Sequence, residues 1–152
     1  MTTRSRRSAE ATARVPREVE ARATVLIVED DPSVMRMLRF AMESAGFAVL
    51  EAGTGQEGLS ALRRGGMDAV VLDPGLPDDL GGVVLERLRQ SKAGVGGSPV
   101  WMVVSALDRE EAVGRYGPVG DHFLAKPFNP WDLARRLEEL LDARSGKRDA
   151  RP

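Results

Sequence analysis

Short, uninterrupted apolar runs alternate along this chain with longer segments of helical periodicity. Val25-Leu26-Ile27-Val28, Ala69-Val70-Val71-Leu72, Val100-Trp101-Met102-Val103-Val104 and Phe123-Leu124-Ala125 are continuous rather than alternating. That is the pattern of strands covered on both faces of a parallel sheet. A weaker run, Phe47–Glu51, predicts one more strand. The segments between carry helix signals. Asp31-Pro32 and Asn129-Pro130 each place a capping side chain before a proline whose missing N–H is harmless at the first helical position. Thr54-x-x-Glu57 and Asp108-x-x-Glu111 read as capping boxes, the Asp version being the looser match. Val34, Met37, Leu38, Ala41 and Ala45 form one apolar stripe, and Leu133, Leu137, Leu140 and Leu141 another. Gly46 supplies a left-handed end to the first helix. Five strands and five helices in strict alternation, the fourth helix short, predict an α/β fold: a doubly wound five-stranded parallel sheet with helices on both faces.

Composition changes this picture at the ends. Residues 1–23 hold six Arg, three Glu and almost no large apolar side chains. Such a segment buries too little to offset the entropy of ordering and reads as a disordered, Arg-rich extension or a frayed helix. Residues 144–152 read likewise as a basic tail, which leaves 24–143 as the folded domain. Each end sums to +3 and the middle to −7, so the folded part lacks the cationic surface of a general nucleic-acid binder, and no nucleic-acid partner is expected. No stretch reaches the roughly 20 apolar residues of a membrane span, and no signal peptide is evident, so a soluble cytoplasmic protein is expected. With no Cys and a single His, thiol chemistry and polyhistidine zinc sites are excluded, and any metal must be held by oxygen.

The polar residues that need explaining stand just past the strands. Glu29 and Asp30 follow the first, Asp73 the third, Ser105 the fourth and Lys126 the fifth. In a parallel sheet these positions share the carboxyl edge, and in the order 2-1-3-4-5 the first and third strands flank the switch point where ligands bind. Three carboxylates at close range raise one another's pKa unless a cation lies between them. With few oxygen ligands available, Mg²⁺, which keeps several waters and shares its shell with phosphate, fits better than a Ca²⁺ cage. The adjacent ammonium and hydroxyl would complete a clamp for a phosphoryl group. Asp31 is left out of the cluster as a helix cap, and His122 reads as a strand residue rather than a phosphocarrier.

The segments Val25–Asp31, Val70–Pro77, Val103–Ala106 and Phe123–Phe128 together resemble the receiver domain of two-component response regulators, over about residues 24–143. The resemblance implies that Asp73 is the phosphoacceptor and that Asp30 is a direct Mg²⁺ ligand, with Glu29 acting through water. Gly75 would give its carbonyl to the metal and its N–H to the phosphoryl group, and Ala106 is the small residue after the switch hydroxyl, Ser105. Lys126 is the phosphoryl-neutralising ammonium and Phe123 the switch aromatic. It further implies a sensor histidine kinase or phosphotransfer protein as donor, and a readout face formed by the fourth helix, fifth strand and fifth helix, including Trp131. Departures from the family pattern are Pro74 directly after the acceptor, a glycine-rich loop at 94–97, Gly114 and Gly117 in or after the fourth helix, and a Phe lacking the hydroxyl of Tyr at 123. Because only a helix and a tail follow Lys126, a stand-alone receiver without an output domain is expected. The alternatives are a non-phosphorylated pseudo-receiver scaffold and a Mg²⁺-dependent phosphatase with an Asp nucleophile. The latter would want a second Asp where Gly75 stands.

Overall fold

The computed structural model describes residues 20–91 and 98–149. Most of the expected N-terminal extension and the glycine-rich loop at 94–97 therefore lie outside the described residues. The elements run β1 (Thr24–Val28), α1 (Pro32–Ser44), β2 (Ala48–Ala52), α2 (Gly55–Arg64), β3 (Ala69–Leu72), α3 (Gly81–Gln90), β4 (Val100–Ser105), α4 (Arg109–Tyr116), β5 (Phe123–Ala125) and α5 (Pro130–Asp149). The strands form one parallel sheet in the order β2-β1-β3-β4-β5.

The continuous apolar runs divide by the period of two in a strand. Val25 and Ile27 of β1, Val71 of β3, and Met102 and Val104 of β4 face one core with Leu38 and Met42 of α1 and Leu133 and Leu137 of α5. Leu26, Val28, Val70, Leu72 and Val103 face the other, against Ala61 of α2, Val84, Leu85 and Leu88 of α3 and Ala112 of α4. Each fully buried Leu, Ile, Val or Met contributes about 1.5–3 kcal/mol, so both faces of the central strands must be apolar.

The caps form where expected. Asp31 accepts from the Ser33 and Val34 amides at 2.8 and 3.3 Å, and Asn129 from Trp131 N–H at 2.9 Å. Asp108 and Glu111 make both halves of a capping box. At α2 the reciprocal half goes elsewhere: Thr54 accepts from Glu57 N–H, but the Glu57 carboxylate takes the amide of Gly53. Gly46 follows α1 with φ +93°.

Three expectations change. In α1 the buried residues are Met35, Leu38, Ala41 and Met42, and Met37 is 42% exposed beside Phe40 at 66%. β2 starts at Ala48 rather than Phe47, because the Phe47 amide is used to close α1 on the Met42 carbonyl at 3.0 Å while its ring is buried. The ends are also less loose than composition suggests. Arg22, in the expected extension, pairs with Glu138 at 3.3 Å and donates its amide to Gly46 O at 2.9 Å. α5 continues past 143, and Arg144 binds the Asp68 carboxylate at 3.2 Å. Among the described residues no helix is long and apolar enough to cross a membrane.

Candidate functional site

Backbone ladders set the site. The amide of Glu29 donates to Ala52 O at 3.0 Å and that of Asp73 to Val28 O at 2.9 Å, so each residue leaving β1 and β3 is still held in the sheet. At the end of β4, Ser105 O accepts the Lys126 amide at 2.7 Å, which delivers the lysine to the same edge. The Lys126–Pro127 peptide is cis.

Oxygens of Glu29, Asp30 and Asp73 lie within 4.8 Å of one another. Glu29 and Asp73 are buried and Asp30 is exposed at the mouth. Lys126 Nζ donates to Glu29 Oε2 at 2.9 Å and to Asp73 Oδ2 at 2.6 Å. The remaining oxygens are also engaged: Glu29 Oε1 accepts from Asp31 N–H at 3.2 Å, and Asp73 Oδ1 from Gly75 N–H at 2.9 Å. Burial pushes the Glu29 carboxyl above its ordinary value, the hydrogen bond from Lys126 opposes that, and the Asp73 charge adds to it. Burial pulls the Lys126 ammonium down, but the hydrogen bonds it donates to Asp73 and Glu29 outweigh that and the net shift is upward. One ammonium against three carboxylates leaves an excess of negative charge focused at an all-oxygen mouth. That donor set, with one exposed carboxylate and two tethered ones, suits a hard divalent cation such as Mg²⁺.

The other expected residues occupy different places. Ser105 is buried at the edge of β4, and its hydroxyl accepts from Leu107 N–H at 3.1 Å rather than touching the carboxylates. Ala106 is exposed beside it. Phe123 is half-buried in β5, outside the carboxylate cluster, with the Arg109 guanidinium 5.3 Å from its ring centroid. Arg109 also donates to Gly120 O at 2.9 Å. The carbonyl of His122 accepts from Val103 N–H at 3.0 Å, in keeping with a strand-edge residue.

Three features escaped the sequence reading. Asp78, in the loop after the acceptor strand, caps a different helix: its carboxylate accepts from Gly55 N–H at 3.0 Å and Gln56 N–H at 2.9 Å at the start of α2. Those backbone hydrogen bonds, led by that of Gln56, hold its pKa below the usual range. Tyr116, at the end of α4, reaches the turn at Gly75. Finally, Phe40 and Trp131 meet edge to face at 5.7 Å and, with Met37, Pro127 and Phe128, line an open apolar groove that begins at the residue after Lys126.

The sequence pattern of the response regulator receiver domain matches residues 25–138. The chain is 35% identical over 118 residues to the probable transcriptional regulatory protein TcrX of Mycobacterium tuberculosis, covering 78% of this chain and 49% of that protein. It is 36% identical over 117 residues to the KDP operon transcriptional regulatory protein KdpE of Escherichia coli, covering 77% and 50%. It thus spans about half the length of these relatives. Among solved structures it is similar to a CheY-like response regulator receiver domain protein from Methanospirillum hungatei, with a TM-score of 0.70 and 27% identity, covering 82% of this chain and 98% of that one.

Proposed function

Because the chain belongs to the response regulator receiver domain family, we propose that it signals by accepting a phosphoryl group on Asp73 from a sensor histidine kinase or a phosphotransfer protein. The observation that carries this reading is the setting of one buried carboxylate, Asp73, held by an ammonium on one oxygen and a backbone N–H on the other, beside two further acids.

A carboxylate oxygen of Asp73 attacks the phosphorus of a phosphohistidine in line. The new P–O bond forms as the P–N bond breaks, and the imidazole leaves. Lys126, already on Asp73 Oδ2, neutralises charge on the phosphoryl oxygens, and the Gly75 and Ala106 amides would donate to them. Positioning does most of this work. Glu29, Asp30 and Asp73, with the Gly75 carbonyl, are the groups that would hold Mg²⁺, which supplies further charge neutralisation to the phosphoryl oxygens. Hydrolysis of the acyl phosphate resets Asp73, so the chemistry of the chain is confined to its own side chain.

The readout proceeds through Ser105 and Phe123. A phosphoryl group on Asp73 draws the Ser105 hydroxyl from Leu107 N–H, and Phe123 turns into the space released, changing the face formed by α4, β5 and α5 that meets a protein target. Intact mass after incubation with Mg²⁺ and acetyl phosphate tests the acceptor assignment. A single phosphoryl adduct is expected in the wild type and none in Asp73→Asn; an equal adduct in both removes Asp73 from the role.

A further inference from the structure

Helix α4 is thinly packed. Of its eight residues only Ala112 is buried, with Tyr116 half-buried, so apolar burial does little to fix it. Its two ends are held by guanidinium groups instead. At the far end Arg89 Nη1 of α3 donates to the Tyr116 and Pro118 carbonyls at 3.2 and 2.8 Å. At the near end Arg109, the first residue of the helix, reaches across to the entry of β5. Its Nη1 donates to Gly120 O at 2.9 Å and its Nη2 points at Asp121 O, 3.5 Å away. The same guanidinium lies 5.3 Å from the ring centroid of Phe123. A planar guanidinium can do both at once, because its donors lie in the plane and its face stays free to stack.

The two sides of this contact differ in how firmly they are held. Gly120 sits so close under the Trp101 indole that a Cβ there would lie 2.5 Å from the ring, and His122 O accepts from Val103 N–H in the neighbouring strand at 3.0 Å. The backbone entering β5 is therefore a fixed anchor. Arg109, by contrast, stands at the end of the loop that leaves Ser105, and that loop is tied back by the hydrogen bond from Leu107 N–H to Ser105 Oγ at 3.1 Å. Withdrawing the Ser105 hydroxyl frees the Leu107 amide and, with it, the loop that carries Arg109.

We infer that Arg109 is the latch between Ser105 and Phe123: it holds the switch aromatic in its resting place and releases it when the loop after Ser105 shifts. This rests on Asp73 being the acceptor and on Ser105 and Phe123 being the switch pair. The latch favours the resting state, so a phosphoryl group must overcome it. Any ligand that needs the released state then binds more weakly by the fraction of molecules that have released. Linkage makes this reciprocal: removing the latch tightens the binding of a phosphoryl mimic by the factor by which it shifts the resting equilibrium.

The test is Arg109→Met, which keeps an unbranched stem of similar reach at an exposed position and removes the guanidinium. Beryllofluoride, a phosphoryl mimic for a carboxylate, is titrated at saturating Mg²⁺ by calorimetry into wild type, Arg109→Met, Phe123→Leu and the double variant, each checked by circular dichroism to be folded at the assay temperature. The expected result is a two- to fivefold tighter apparent Kd for Arg109→Met than for wild type, the worth of one exposed cation–π contact. Between Phe123→Leu and the double variant the gain should shrink to less than half of that factor, because the ring is no longer there to be held. An unchanged or weaker affinity in Arg109→Met overturns the inference. So does an equal gain in both backgrounds, which would mean that Arg109 acts on the helix and not through Phe123. Binding that is absent in wild type, or equal in wild type and Asp73→Asn, instead removes Asp73 from its role, and the latch with it.

Discussion

Gly81→Ala is the substitution whose sign the structure decides most directly. Gly81 is the first residue of α3, and in isolation replacing a helical glycine by alanine favours folding by about 1 kcal/mol. Here a Cβ would lie 1.7 Å from the Pro74 carbonyl oxygen and 2.5 Å from its carbon, far inside the roughly 3.5 Å of a favourable contact. Both neighbours are backbone, so no rotamer change relieves the clash, and either α3 or the turn after Asp73 must move by more than a bond length. Overpacking of this kind costs about 1–3 kcal/mol, and more when backbone shifts. Because backbone must move here, the cost lies in the upper part of that range, about 2–3 kcal/mol; it outweighs the propensity gain and leaves a net loss of about 1–2 kcal/mol, or roughly 4–8 °C in thermal midpoint for a domain of this size. Because the displaced atom belongs to the residue next to the acceptor, the initial rate of adduct formation should fall as well. Gly114→Ala is the control, since nothing lies within 4 Å of its Cβ position in α4; it should gain up to about 1 kcal/mol. Denaturation followed by circular dichroism, with intact-mass phosphorylation rates, measures both. A Gly81→Ala protein as stable as wild type and phosphorylated at the same rate would refute the packing argument.

Lys126→Met removes the only ammonium hydrogen-bonded to Glu29 and Asp73 among the described residues and should slow adduct formation by roughly 10²–10³, the usual cost of deleting one preorganised electrostatic contact; a rate within a factor of two of wild type would contradict the role given to it. Asp78 has its folded pKa lowered from the ordinary 3.8, so its caps stabilise the fold above that value, and the contribution disappears as pH falls through the lowered one. Asp78→Ala should therefore lower the thermal midpoint at neutral pH and show a shallower loss from pH 5 downward than wild type, whereas parallel acid curves would dismiss the cap. Phe40→Asp should weaken transfer from a phosphohistidine-bearing donor protein while leaving labelling by acetyl phosphate unchanged, because the apolar groove adjoins the crevice without entering it. Equal slowing with both donors would argue that the substitution acts on folding instead.

The sheet was legible because central strands buried on two faces can carry no polar residue, and the caps because each is a contact within three residues. The residues at the strand ends were legible for the same reason: a parallel sheet sends all of them to one edge. The face of α1 was not. Apolar residues occur at 34, 35, 37, 38, 40, 41, 42 and 45, wrapping most of the helix, so periodicity alone cannot choose between Met35 and Met37. Packing against β1 and α5 chose Met35 and Met42 and left Met37 and Phe40 outside. Asp78 and Tyr116 were illegible on other grounds. One caps a helix that precedes it and the other approaches a glycine from the far end of α4, and long-range approaches of that kind leave no local pattern. The basic end of the chain misled through composition, since Arg144 is used for a specific ion pair with Asp68 rather than for solvation.

Glu29, Asp30 and Asp31 are three consecutive acids that the fold separates completely: one is sealed under Lys126, one faces the open mouth, and one caps α1. Their identity is therefore one of place and not of chemistry. Any comparison that scores the three as an acidic run will pass a one-residue slip between β1 and α1 as harmless, although such a slip exchanges a candidate metal ligand for a helix cap while leaving the charge of the segment unaltered.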